Sequence, residues 1–214
     1  MEEMCPSRIL KGGKIKMNDS NSKLIQERFL NTLLEIADQI KKNSVAIDTN
    51  KVLKLIELII EVDSNDGMIF IYGAGRSGFI GRSFAQRLMH LGIKSCFVSD
   101  AVTYRYSKDD LLIVISGSGE TTSPKAITEK AKEIGGKIAL FTGNLNSNIA
   151  LLSDLSIKVE GKSKEKAISQ ETLAPFTSLF DISTLSILDS IGASLMVLLD
   201  KTEKDIDERH ASIE

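Results

Sequence analysis

The chain has few of the residues from which disulfide frameworks and metal sites are built. Its 214 residues include two cysteines, Cys5 and Cys96, two histidines, His90 and His210, and no tryptophan. So few thiol and imidazole groups argue against a disulfide framework and against a Cys/His metal site. The composition therefore predicts a protein with reduced thiols, no metal site and a cytoplasmic location.

An excess of basic charge and a secretory signal are also absent from the sequence. The chain has 27 Lys and Arg residues against 29 Asp and Glu residues, a net charge of −2. Nothing in this balance indicates binding to nucleic acid or to an anionic membrane surface. The most apolar late segment, residues 179–199, contains Asp181 and Asp189, which argues against a membrane-spanning helix.

Length and apolar content predict one globular domain preceded by a short flexible segment. The 214 residues are 42% hydrophobic, enough to build one sizeable core. Residues 1–22 are polar and lack periodicity, so we expect them to be flexible; Met17 is an alternative start to Met1. Residues 23–214 are expected to form a single domain.

Short apolar runs alternate along the chain with segments of helical periodicity. Strands are predicted at 68–72, 94–99, 111–115, 137–142 and 155–159. The principal helices are predicted at 23–42, 50–62, 78–91, 121–134 and 176–199, with a short helical tail over 200–214. Strands that alternate with helices are joined by right-handed crossovers and lie parallel. The sequence therefore predicts an α/β fold, a three-layer α/β/α sandwich around a five-stranded parallel sheet.

The stretch LLIVISGSGETT, residues 111–122, has the features of a phosphate-binding turn. An apolar strand leads into a turn of mostly small and hydroxyl-bearing residues, after which a helix begins. The turn residues are Ser116, Gly117, Ser118, Gly119, Glu120 and Thr121. The start of a helix offers free N–H groups and a positive dipole end to an anion. The lysine of the GKS/GKT nucleotide loop is missing. A plain strand-to-helix turn with a capping threonine remains the alternative.

A second glycine turn, GAGRSG at residues 73–78, follows the first predicted strand. It matches the fingerprint of dinucleotide-binding folds, and Asp100 lies near the place of a ribose-binding acid. An NAD-dependent dehydrogenase is therefore a rival hypothesis. Arg76 and Ser77 inside the turn, the separate second turn, and the short chain after the fifth strand all weaken it.

The two turns, the late segment LAPFTSLFD and a C-terminal ERH resemble the SIS (sugar isomerase) domain family. Within that family, FIYGAGRSGFIGRSFAQRLMHLG and DDLLIVISGSGET are most similar to the 6-phospho-3-hexuloisomerases. The resemblance covers residues 23–214. Where the family usually has Pro-Met-Gly-Ser-Leu-Phe-Glu, residues 175–181 read Pro-Phe-Thr-Ser-Leu-Phe-Asp, so Asp181 replaces a glutamate.

The resemblance implies an isomerase of carbohydrate metabolism, in the ribulose monophosphate pathway. Such an enzyme interconverts 3-hexulose 6-phosphate and fructose 6-phosphate through an enediol, without a cofactor. One base removes a carbon-bound proton and returns it to the neighbouring carbon. An arabinose-5-phosphate-type isomerase, which carries a similar Leu-Ala-Pro segment, and a non-catalytic sugar-phosphate-binding module are the alternatives.

Four side chains are candidates for acid–base chemistry. Asp181 matches the position of the family's catalytic acid and is expected nearly a turn and a half into its helix, where burial would raise its pKa. Glu120 lies beside the phosphate turn, where a helix start lowers basicity. His210 of a neighbouring subunit is expected to help ring opening or to polarise the carbonyl, whereas His90 at a helix end is expected to be structural. Glu171, in the loop before the last long helix, is expected to be solvated. Asp181 is thus the predicted base.

The substrate phosphate is expected to lie on Ser116, Ser118, Thr121 and the backbone of 117–121. Ser77 is expected to assist from the first turn, and Arg76 to pair with phosphate or with substrate hydroxyls. The helices at 23–42 and 176–199 carry more apolar surface than one sheet face needs, which favours self-association. The resemblance implies a homotetramer as the assembly.

Overall fold

A five-stranded, fully parallel sheet forms the centre of the computed structural model, which describes residues 18–161 and 172–212. Its strands, with the order β2-β1-β3-β4-β5 across the sheet, are β1 (Ile69–Gly73), β2 (Ser95–Phe97), β3 (Leu111–Ile115), β4 (Lys137–Thr142) and β5 (Leu155–Lys158). The predicted α/β class and five parallel strands are confirmed. Two of the predicted strands match residue for residue, and the other three differ by one or two residues at one or both ends.

Seven helices lie within the described residues. They are α1 (Asp19–Ala46), α2 (Thr49–Ser64), α3 (Arg76–Leu91), α4 (Thr122–Ile134), α5 (Asn148–Leu152), α6 (Ser178–Leu198) and α7 (Glu203–Asp207). Helix α1 begins four residues before its predicted start, because the side chain of Asn18 accepts the N–H of Asn21 and caps it there. Most of the segment predicted to be flexible, residues 1–17, lies outside the described residues.

The two faces of the sheet carry separate hydrophobic clusters, which makes the fold three-layered. Strand residues alternate between them, so that Ile113 joins the cluster under α2, α3, α6 and α7, and Leu112 joins the cluster under α4 and α5. All five residues of β3 are buried, as expected for a central parallel strand covered on both sides. This packing fixes the positions of the turns at the strand ends.

The order of the strands places both glycine turns at one crevice. Strand β2 lies on one side of β1, and β3, β4 and β5 follow on the other side. The order in which strands are added to the sheet therefore reverses between β1 and β3, which are hydrogen-bonded neighbours. In open α/β sheets, ligands bind beyond the carboxyl ends of the strands at such a reversal. The turns that follow β1 and β3 meet at this place.

Helix α6 is the one helix in the described part of the chain that is long and apolar enough to cross a membrane, by length and composition alone. Its residues Leu188, Ile191 and Leu195 are buried in the core, and the helix packs against α3 and α1. The packing of a core helix accounts for this composition. Helix α1 differs, because Asn43 is its only buried residue.

Candidate active site

A cavity of about 240 Å³ lies where the two glycine turns meet the start of α6. Its walls are formed by Ala74, Ser77, Ile115, Ser116, Gly117, Ser118, Thr121, Pro124, Phe176, Thr177 and Phe180. One water occupies about 30 Å³ in the liquid, so the cavity has the volume of roughly eight waters. This space suits one small metabolite rather than a dinucleotide.

The turn over residues 116–121, here named the cradle, is held in shape by its own hydroxyl groups. The buried Ser116 Oγ accepts the N–H of Gly119 at 3.2 Å, and Ser118 Oγ accepts the N–H of Glu120 at 3.2 Å. Gly119 has φ +67°, and a Cβ there would lie 1.9 Å from the hydroxyl of Ser147. Only glycine therefore fits at position 119. Because the hydroxyls of Ser116 and Ser118 act as acceptors in these bonds, their protons are left for donation to another group.

The start of α4 opens onto the cavity without a side-chain cap. Thr121 is the N-cap residue, but its side chain makes no capping hydrogen bond, and its hydroxyl lies 3.5 Å from that of Ser118. The threonine side-chain cap that the alternative interpretation assumed is therefore absent. The first N–H groups of a helix have no partner within the helix. In α4 these are the N–H groups of Thr122 and Ser123. Such a start attracts anions.

Asp181 is 1% exposed and accepts hydrogen bonds from three side chains. Thr177 Oγ1 donates at 2.6 Å, Ser77 Oγ at 2.9 Å and Arg76 Nε at 3.3 Å. Helix α6 begins at Ser178, so Asp181 lies in its first turn. The expected position a turn and a half into the helix was wrong, because the chain before Ser178 is not helical.

Arg76 lies at the start of α3 but is not part of the cavity wall. Its side chain is 61% exposed, and its guanidinium pairs with the carboxylate of Asp181. In the structure its partner is therefore a protein carboxylate, at the place where the sequence suggested a substrate group. Arg76 closes the outer side of the Asp181 cluster and complements the charge of the buried carboxylate.

Glu120 also lies outside the cavity wall, and its carboxylate is engaged elsewhere. It accepts the backbone N–H of Asn148 at 2.8 Å and the side-chain amide of Asn148 at 2.5 Å. These bonds, that of the backbone first, hold the pKa of the Glu120 carboxyl below its ordinary value. The expected lowering is present, but its cause is the start of α5 rather than that of α4.

His210 lies at the far end of α3 from the cavity of its own chain. Its ring stacks on that of the buried His90, with 4.2 Å between the centroids. His90 is in the last turn of α3, a helix of 16 residues, so about 20 Å of helix separates it from the cavity. His210 cannot reach the cavity of its own chain from this position.

Thr177, Phe176 and Phe180 are cavity residues that the sequence analysis did not single out. A helix predicted to begin at Phe176 conceals Thr177 inside its first turn, whereas the structure places Thr177 before the helix, at φ +67°. The available signal is a threonine just ahead of an apolar helical run, which is typical of a helix start. Asp100, the ribose-binding candidate, forms an ion pair with Arg82 at 2.8 Å.

Comparisons with known proteins agree with this architecture. The SIS domain family matches residues 64–188. The chain is 42% identical over 164 residues to the 3-hexulose-6-phosphate isomerase of Methanocaldococcus jannaschii, covering 77% of this chain and 84% of that protein. It is 33% identical over 181 residues to the protein of the same name from Bacillus subtilis, covering 84% and 96%.

A solved structure shares the fold. A hypothetical protein of Methanococcus jannaschii, whose structure infers a function of 3-hexulose-6-phosphate isomerase, superposes with a TM-score of 0.72 at 39% identity. The match covers 86% of this chain and 98% of the other. The chain therefore belongs to the SIS domain family, in which it groups with proteins named 3-hexulose-6-phosphate isomerase.

Proposed function

We propose that this protein is an isomerase that interconverts 3-hexulose 6-phosphate and fructose 6-phosphate through an enediol. The observation that carries the proposal is the uncapped start of α4, which faces a cavity for one small metabolite at the switch point of the sheet. The choice of substrate rests on relatives that are named for this activity and are more than 30% identical over most of the chain. The reaction belongs to carbohydrate metabolism, in the ribulose monophosphate pathway, and takes place in the cytoplasm.

The substrate phosphate binds at the cradle. Backbone N–H groups at the start of α4 and the hydroxyls of Ser116, Ser118 and Thr121 donate hydrogen bonds to it. Hydrogen bonds to a charged group are each worth about 1.5–3 kcal/mol. Held in this way, the phosphate leaves the sugar carbons to contact Ser77 and Thr177, which line the same cavity.

Proton transfer needs a base that one chain does not present within the described residues. The cavity wall contains no carboxylate and no imidazole. Asp181 is covered by Ser77 and Thr177, and Glu120 faces α5. Glu171, the remaining carboxylate candidate, lies outside the described residues. We assign the transfer of the proton between C2 and C3 to His210 of a neighbouring subunit, and a positioning role to Asp181. Loss of a general base costs about 10²–10⁴ in rate.

A homotetramer would bring such a histidine to each cavity. Helix α1 supports self-association because it exposes a row of large apolar side chains, each more than half exposed: Leu24, Ile25, Phe29, Leu30, Leu33 and Leu34. Large exposed apolar patches mark interfaces. Light scattering should give the mass of four chains, and a monomer at all concentrations contradicts the assembly.

A coupled assay over hexulose and pentose phosphates tests the activity directly. We expect turnover of 3-hexulose 6-phosphate and fructose 6-phosphate, with solvent deuterium entering the product. Turnover of arabinose 5-phosphate instead would favour the alternative suggested by the Leu173–Pro175 segment. Binding without turnover would indicate a sensor module. His210→Gln should lower kcat about 10²–10⁴-fold, whereas His90→Gln, its stacking partner, should leave kcat within a few-fold.

A further inference from the structure

Two hydroxyl groups face the cavity with their protons already committed. Ser77 Oγ donates to Asp181 Oδ1 at 2.9 Å, and Thr177 Oγ1 donates to Asp181 Oδ2 at 2.6 Å. An ionised carboxylate only accepts hydrogen bonds, so each O–H must point at Asp181. The guanidinium of Arg76, at 3.3 Å, complements that charge. Ser77 and Thr177 therefore offer oxygen lone pairs to the cavity, and no proton.

This arrangement gives the cavity wall two sets of groups with opposite hydrogen-bonding character. The start of α4 and the cradle supply donors, which suit the phosphate monoester of a sugar phosphate, since its dianion, formed above a second pKa of about 6, has only acceptor oxygens. Ser77 and Thr177 supply acceptors, which suit the O–H groups of a sugar. We propose that Ser77 and Thr177 form the subsite for the sugar hydroxyls, and that Asp181 sets their polarity. The proposal deepens and rests on the proposed function, and it removes Ser77 from the phosphate contacts that the sequence suggested.

The backbone at Thr177 supports a specific role for its hydroxyl. Thr177 has φ +67°, and it is the β-branched residue among the three non-glycine residues with positive φ in the described chain. A β-branched residue in this region is strained, and such strain clusters at functional sites. Glycine would relieve the strain but would lack the hydroxyl. The short bond to Asp181 and the backbone bond from Asp181 N–H to Thr177 O, 2.9 Å, hold the conformation.

The test compares two ligands on the same set of variants. Titration calorimetry with inorganic phosphate and with fructose 6-phosphate is carried out on wild type, Ser77→Ala, Thr177→Gly, Thr177→Ser and the surface control Ser44→Ala. We expect Ser77→Ala and Thr177→Gly to bind fructose 6-phosphate about three- to tenfold more weakly, while phosphate affinity changes less than twofold. Thr177→Ser, which keeps the hydroxyl, and Ser44→Ala should bind both ligands as wild type does.

Three outcomes overturn the proposal. Equal losses for both ligands would place the hydroxyls on the phosphate, and no loss for either would remove them from the site. A wild-type protein that binds fructose 6-phosphate and arabinose 5-phosphate no more tightly than inorganic phosphate would show that no sugar subsite exists. The isomerase assay is separate: a selective loss of sugar-phosphate affinity sustains the subsite even where turnover is absent, and absent turnover contradicts only the proposed function.

Discussion

Of the seven helices that the structure describes, four begin with a side-chain cap and three do not. Asn18, Asp48, Ser147 and Thr202 accept backbone N–H groups at the starts of α1, α2, α5 and α7. Helices α3, α4 and α6 begin at Gly75, Thr121 and Thr177, and none of these makes a side-chain capping bond.

The uncapped starts belong to the helices that surround the cavity. Thr121 and Thr177 are part of its wall, and Gly75 adjoins Ala74, which is also part of it. An N-cap is worth about 1 kcal/mol relative to alanine and only a few tenths relative to glycine, so the missing contributions are mainly those of Thr121 and Thr177. The missing cap leaves donors for a ligand at the start of α4. At the start of α6, Thr177 uses its hydroxyl on Asp181, and the N–H of Ser178 donates to Pro175 O at 3.0 Å. Under the proposed function, the capped helix starts contribute stability and the uncapped start of α4 contributes binding.

The strongest way to break this contrast is to close the cradle with a methyl group. Gly119→Ala places a Cβ at φ +67° and against the hydroxyl of Ser147. We expect the free energy of unfolding to fall by about 2–4 kcal/mol and phosphate binding to be lost, because the turn must move. Denaturant titration and calorimetry measure the two effects.

Gly135→Ala is the matched control for that substitution. Gly135 ends α4 at φ +96°, but a Cβ there would meet no atom closer than Lys108 Cβ at 3.9 Å. The backbone strain alone should cost about 1–2 kcal/mol and leave phosphate binding intact. A variant at Gly135 that also loses phosphate would show that general destabilisation, rather than the cradle, explains Gly119→Ala.

A cap added to α4 should exchange binding for stability. In Thr121→Asp, the carboxylate can accept the free N–H groups at the start of the helix and raise stability by about 0.5–1 kcal/mol. The same negative charge should weaken sugar-phosphate binding tenfold or more. Thr121→Asn caps without charge, so a smaller loss of binding in this variant separates the effect of repulsion from that of competition. Unchanged binding in both variants would contradict an anion site at this helix start.

Removal of single hydroxyl groups should separate the two kinds of helix start with smaller effects. Ser118→Ala should weaken sugar-phosphate binding about tenfold with little change in stability. Thr202→Ala removes the capping box of α7 and should lower stability by about 1 kcal/mol without changing affinity. An unchanged Michaelis constant in both Ser116→Ala and Ser118→Ala would remove the cradle from the proposed site.

Local sequence patterns were sufficient to predict the sheet and the cradle, since the signals lie in continuous stretches. The buried run of β3 and the glycines after it are visible without knowledge of the rest of the chain. Thr177 was not predictable in this way, because its conformation opposes the local preference of a β-branched residue. The conformation of Thr177 is held by Asp181. Ser77, which lies 104 residues before Asp181 in the sequence, contacts the same carboxylate. The docking of His210 on His90 is likewise a tertiary contact that no local pattern encodes.

The smallest expected effect is a difference between the pKa values of Glu120 and Asp205, two acidic side chains that accept backbone N–H groups at helix starts. Hydrogen bonds hold the pKa of Glu120 low through Asn148, and that of Asp205 low through Thr202. A lowered pKa means that each contact is intact above the ordinary pKa of the group and is lost as the pH falls through the lowered value. NMR titration of the Asn148 and Thr202 amides should therefore give midpoints below the ordinary pKa of a glutamate and of an aspartate side chain. Saturating phosphate should raise the Glu120 midpoint alone, because the bound anion lies beside the cradle and disfavours a second negative charge there. Equal movement of both midpoints, or none, would place the anion away from the start of α4.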